Sequence, residues 1–116
     1  MFTVVGTDSD TIQIALNVNH PIYHAHFPGN PITPGVCMVQ MVVELLEASL
    51  QRHLALSRIV NLKFISTISP VEHPIVDVHF EKCDVCGRKC AAKGSIISGD
   101  EAKAKFSLEF EVKDER

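Results

Sequence analysis

The 116-residue chain has no basic surplus. Eleven Lys and Arg stand against fourteen Asp and Glu, for a formal net charge of −3 at pH 7. A nucleic-acid binder needs excess positive charge to neutralise phosphates, so that class is disfavoured. Nor is there a long apolar run. The longest stretch, Gly35 to Leu46, is interrupted by Gln40 and Glu44 and falls short of the roughly 20 residues that cross a bilayer, so no membrane segment is expected. The opening residues MFTVVGTDSD carry no basic region and no cleavage pattern, so no signal peptide is expected. Four cysteines without an export signal point to free thiols in a reducing, cytoplasmic compartment. No internal repeat, low-complexity tract or linker divides the chain, and its length allows one domain, residues 1–116. Hydrophobic residues at 46% and charged residues at 22% exclude disorder. A domain of this size buries only about two thirds of its unfolded surface, a thin core that a partner subunit would extend.

What is present is mostly strand. Ile12, Ile14, Leu16 and Val18 alternate with smaller or polar neighbours over Thr11–Asn19, the period of a half-buried strand. A short strand around Phe2–Val5 precedes it, with Asp8-Ser9-Asp10 as the turn. Val60, Leu62 and Phe64 alternate with Asn61 and Lys63, and Val76, Val78 and Phe80 with Asp77, His79 and Glu81. Asp84–Gly87 reads as a hairpin turn, after which Cys90, Ala92, Gly94 and Ile96 form a small inward face. Ser98-Gly99-Asp100 turns the chain again. In the final strand Ala102, Ala104, Phe106, Leu108, Phe110 and Val112 face inward, and Lys103, Lys105, Ser107, Glu109, Glu111 and Lys113 face outward.

Two segments break this pattern. His20–Gly35 holds Pro21, Pro28, Pro31 and Pro34; each fixes φ and removes a donor, so no regular structure is expected to run through it. Its apolar residues mark it as a packed, functional loop rather than a linker. Thr33-Pro34 then reads as an N-cap followed by proline at the first helical position, opening a helix to about Gln51. Apolar residues cover most of its circumference. Gln40, Glu44, Glu47 and Gln51 make one polar stripe, with Glu47 and Gln51 read as a solvated face. Such a helix is to be surrounded on nearly all sides. The simplest architecture is α+β: one antiparallel sheet wrapped around one central helix.

The loop and helix start, His26-Phe27-Pro28-Gly29-Asn30-Pro31-Ile32-Thr33-Pro34-Gly35-Val36, resemble the signature of the beta-hydroxyacyl-acyl carrier protein dehydratases of the hotdog fold, of the form H-F-P-G-x-P-x-x-P-G-V. Phe64 with Pro70-Val71 is a weaker echo of the same family. Eliminating water from a 3-hydroxyacyl thioester needs a base for the proton beside the carbonyl, a donor for the enolate-like oxygen, and an acid for the leaving hydroxyl. The resemblance implies His26 as the base. It implies the Gly35 N–H, at the positive end of the helix, as the donor to the thioester carbonyl. Phe27 and Tyr23 are candidates for the wall of the acyl tunnel. The family carries its acid fourteen residues after the histidine, where this chain has Gln40, and a carboxamide cannot act as a general acid. Glu44 lies on the same helix face one turn on, about 6 Å along the axis.

Three possibilities stay open. His26 performs both proton transfers with Gln40 orienting substrate or water, Glu44 reaches the site, or the protein binds acyl thioesters with little or no dehydration. The resemblance implies a substrate carried on acyl carrier protein or coenzyme A, no metal or nucleotide cofactor, and a homodimer or trimer of dimers whose sites draw on both subunits. A hotdog thioesterase and a non-catalytic acyl-binding subunit are the rival functions.

Two other clusters have blander readings. Cys83, Cys86 and Cys90 offer thiolates with His79 as a fourth zinc ligand, but parse more simply as a hairpin with Cys90 inward. Lys82, Arg88, Lys89 and Lys93 are either a docking patch for an acidic carrier protein or a solvated hairpin tip.

Overall fold

A computed structural model describes residues 2–8, 10–25 and 32–113. Its elements are β1 (Phe2–Asp8), β2 (Thr11–Leu16), α1 (Pro21–Ala25), α2 (Gly35–Leu50), β3 (Leu54–Phe64), β4 (Ile75–Cys86), β5 (Lys89–Ser98) and β6 (Glu101–Val112). The described strands form one antiparallel sheet in the order β1-β2-β4-β5-β6-β3. The α+β architecture expected from the pattern is the one observed.

Alternation sets the inner face. Ile12, Ile14 and Leu16 of β2 are buried, as are Cys90, Ala92 and Ile96 of β5 and every second residue from Ala104 to Val112 of β6. Against that face α2 lays Met38, Met41, Val42, Leu45 and Leu46. Gly94 is a place where only hydrogen fits. A Cβ there would stand 2.0 Å from the His79 carbonyl oxygen and 2.9 Å from the Phe106 ring. The β4–β5 hairpin turns at Gly87, in the left-handed region at φ +60°. Because β4 continues through Cys86, the turn is narrower than the expected Asp84–Gly87.

Other expectations change. A short helix, α1, does form inside the proline-rich segment. Pro21 occupies its first position, where no N–H is required, and the His20 ring caps it by accepting the Ile22 N–H at 3.1 Å. α2 begins at Gly35 with Pro34 as the cap residue and no side-chain cap, because the Thr33 hydroxyl is engaged by Tyr23 instead, at 2.9 Å. α2 is not surrounded: its own sheet covers one face, while Val36 is 76% exposed and Gln40 and Glu44 face outward. Glu47 is no solvated residue, since its carboxylate accepts the Leu54 N–H at 2.9 Å and ties the helix end to β3. β3, at the sheet edge, is interrupted by two register shifts and leaves Leu56, Ile59, Val60 and Phe64 largely exposed. Lys103, expected outward, is buried.

Candidate active site

The site is built around the N-terminus of α2. Intrahelical bonding starts with the Cys37 and Met38 N–H groups, which both donate to the Pro34 carbonyl, at 3.0 and 3.2 Å. The N–H groups of Gly35 and Val36 precede that ladder, so the helix presents them at the positive end of its dipole. Gly35 is pinned by its neighbour in space. The Phe64 ring lies so close that a Cβ on Gly35 would meet its Cζ at 2.7 Å. The bare Cα thus lets an aromatic ring cover the helix start, and Phe64 itself remains 48% exposed.

Two contacts hold the chain just before Gly35. The Thr33 N–H donates to the Ile68 carbonyl at 2.8 Å, and the Thr33 hydroxyl meets the Tyr23 hydroxyl at 2.9 Å in the interior. Burial raises the Tyr23 pKa; the Thr33 bond opposes that rise and the nearby Cys37 thiol adds to it. α1 and the start of α2 are therefore clamped at the two ends of the motif segment. Ile68 carries no signal in the sequence, being neither titratable nor part of a periodic face, and Thr33 is marked there as a helix cap rather than as the partner of Tyr23.

Of the residues singled out by sequence, His26 and Phe27 lie outside the described residues. Gly35 stands at the helix start, Tyr23 is buried at the base of the segment, and Gln40 and Glu44 follow on the uncovered side of α2. Beneath Phe64, between α2 and the sheet, a void of about 10 Å³ is lined by Met38, Val39, Val42, Leu62 and Phe106. It is no larger than one water-sized probe.

The basic cluster and the thiols are elsewhere. The Val112 N–H donates to the Arg88 carbonyl at 2.7 Å and Val112 pairs with Leu54, which places the hairpin tip beside the C-terminal end of α2. Lys82 pairs there with Asp84 at 3.6 Å, both exposed. Cys86, which pairs with Lys89, faces opposite to Cys83 and Cys90. Among the described residues no three His, Cys, Asp or Glu groups converge on a metal-sized site. Among the same residues no helix is long and apolar enough to cross a membrane.

A family model for the ApeI-like dehydratases, described as ApeI dehydratase, matches residues 4–100. The chain belongs to the ApeI-like dehydratase family. An ApeI-like identity agrees with its curated relatives: it is 27% identical over 104 residues to a 3-hydroxyacyl-[acyl-carrier-protein] dehydratase FabZ of Fusobacterium nucleatum, covering 85% of this chain and 72% of that one. Among solved structures, the dehydratase heterocomplex ApeI:P of Xenorhabdus doucetiae superposes with a TM-score of 0.62 at 18% identity, over 87% of this chain and 85% of that one. A thioesterase of Haemophilus influenzae superposes at 0.63 with 12% identity, over 97% and 78%. These likenesses establish the hotdog fold for this ApeI-like chain.

Proposed function

We propose that the protein is a (3R)-hydroxyacyl-thioester dehydratase of fatty acid or related lipid biosynthesis, acting on acyl groups carried by acyl carrier protein or coenzyme A. The observation that carries this reading is the uncapped start of α2 at Gly35, held from both sides by Phe64 and Thr33. A fixed N–H at a helix N-terminus is the donor an enolate-like oxygen requires. His26 takes the proton beside the thioester carbonyl and Gly35 N–H binds the oxygen. The leaving hydroxyl, oriented by Gln40, departs as water on receiving that proton back from His26, or one from Glu44 one turn farther. Phe27 and Tyr23 wall the acyl channel, with Tyr23 held from behind by Thr33. No metal or nucleotide cofactor enters this scheme.

A homodimer completes the site. The exposed apolar residues of β3, together with Val36 on the free side of α2, form a surface that a second copy covers, and a covered edge strand is protected from indiscriminate pairing. Residues 1–116 act as one acyl-thioester domain in this arrangement, in the cytoplasm.

Gln40 favours a second reading, since a carboxamide positions water but donates no acidic proton: thioester hydrolysis at the same oxyanion site. One experiment separates them. The protein is incubated with a 3-hydroxyacyl thioester while the conjugated enoyl product and the free thiol are followed together. Dehydration predicts enoyl product, its loss in His26→Ala, and a gain of roughly 100-fold in Gln40→Glu, the ordinary size of a general-acid contribution. Free thiol without enoyl product rejects the dehydratase reading in favour of hydrolysis. Binding with neither product leaves an acyl-binding subunit.

A further inference from the structure

Lys103 occupies an outward register in the sequence, yet its side chain is 5% exposed. It lies in a bulge of β6. Ile96 pairs with Ala104 and Ile97 with Ala102, so Lys103 is the extra residue on that side of the ladder. Its carbonyl accepts two N–H groups, from Ile65 at 2.9 Å and Ser66 at 3.1 Å. Its ammonium donates to Glu101 Oε1 at 2.9 Å and to Ser66 Oγ at 3.5 Å. One residue thus grips Ile65–Ser66 with both backbone and side chain. The Lys103 bond, reinforced by the charges of Lys103 and His73, holds the Glu101 carboxyl below the usual carboxylate range. Packing alone does not account for a charge here, because a thioether of similar length fills the same space without desolvating an ammonium.

The gripped segment lies between the two contacts that locate the helix start. Phe64, just before it, covers Gly35. Ile68, two residues after it, accepts the Thr33 N–H. We propose that Lys103 is a positioning residue for the Gly35 amide, acting through residues 64–68. This rests on the reading of Gly35 N–H as the oxyanion donor. The bulge gives Lys103 access to the loop after β3, and Glu101, two residues back on the same strand, holds the ammonium where it reaches Ser66.

The test uses 15N-labelled full-length protein and a short 3-hydroxyacyl pantetheine thioester as probe. In the wild type the Gly35 amide resonance moves on adding the probe. In Lys103→Met the free-state resonances of Gly35, Phe64 and Ile68 are displaced while those of Leu54 and Cys90, at the far end of the sheet, are not. The same variant lowers kcat roughly 10- to 100-fold, the scale of a sub-ångström to ångström misplacement, with KM unchanged. Lys103→Arg restores most of the loss. Glu101→Gln, a change at an exposed carboxylate that spares the fold, shifts the same three amides less far. Unmoved Gly35, Phe64 and Ile68 resonances in Lys103→Met and Glu101→Gln overturn the positioning role while leaving the site intact. A wild-type Gly35 amide that ignores the thioester overturns the oxyanion reading itself, and this role with it.

Discussion

Replacing Tyr23 by Phe removes one oxygen from a place that water does not reach. Tyr23 and Thr33 are each 2% exposed, and their hydroxyls lie 2.9 Å apart. The bond contributes about 1 kcal/mol net, and stranding the Thr33 hydroxyl adds a desolvation cost, for a total of about 1–3 kcal/mol. Thr33→Val strands the phenol in the same way. Removing both oxygens leaves two apolar surfaces of nearly the original shape. The double variant therefore costs less than the sum of the singles, with a coupling of roughly 1–2 kcal/mol.

Urea unfolding at one fixed protein concentration measures this cycle, since subunit association changes apparent stability. In a domain of this size each kcal/mol lowers Tm by about 4 °C, so thermal melts resolve the singles as well. The pH dependence has a definite sign. The folded phenol has its pKa raised above the ordinary 10.0. Its contribution is fully present below pH 10.0 and fades as pH rises through the raised value. Additive single costs, or a Tyr23→Phe midpoint equal to that of the wild type, would refute the clamp between α1 and α2.

Two further outcomes are expected. Gly94→Ala drives a methyl to 2.0 Å from a backbone carbonyl, which β4 must retreat to accommodate; the cost is about 3 kcal/mol, the upper end for overpacking, seen as a Tm lower by ~12 °C or more. Gly6→Ala, where nothing lies within 4 Å, is the control, and equal melting of the two variants contradicts the close approach. For the thiols, burial first and then the neighbouring Cys83 push the Cys90 pKa up to about 11. Iodoacetamide at pH 8 should therefore label exposed Cys83 and Cys86 and spare Cys90, whose labelling grows about tenfold per pH unit toward 11. Peptide mapping that finds Cys90 modified as fast as Cys86 rejects its burial.

The sheet was legible wherever its period was clean. The run from Ala104 to Val112 shows in the sequence the alternation it has in the fold, and Cys90, Ala92, Gly94 and Ile96 do face inward. The sequence motif also located the helix start to within one residue. What stayed hidden has three physical causes. A bulge shifts parity, so strict alternation puts Lys103 on the wrong side. Competition for one hydroxyl removed the Thr33 cap, because the sequence does not say that Tyr23 reaches the same oxygen. And an apolar circumference tells that a helix will be covered without saying by whom: α2 meets its own sheet on one face only. α1 was missed for a simpler reason, in that proline stops a helix anywhere but its first turn.

The position of β3 has a consequence in time. Among the described residues it is third of the six strands in sequence, but its one neighbour in the sheet is β6, whose first residue, Glu101, comes 37 residues after Phe64, the last of β3 (101 − 64). At about 5–20 residues per second of synthesis, β3 waits roughly 2–7 seconds for that strand, with the backbone N–H and C=O groups that β6 satisfies left unpaired. Variants that weaken β6 should therefore show their damage first as aggregation during synthesis, before any loss of melting temperature in the protein that does fold.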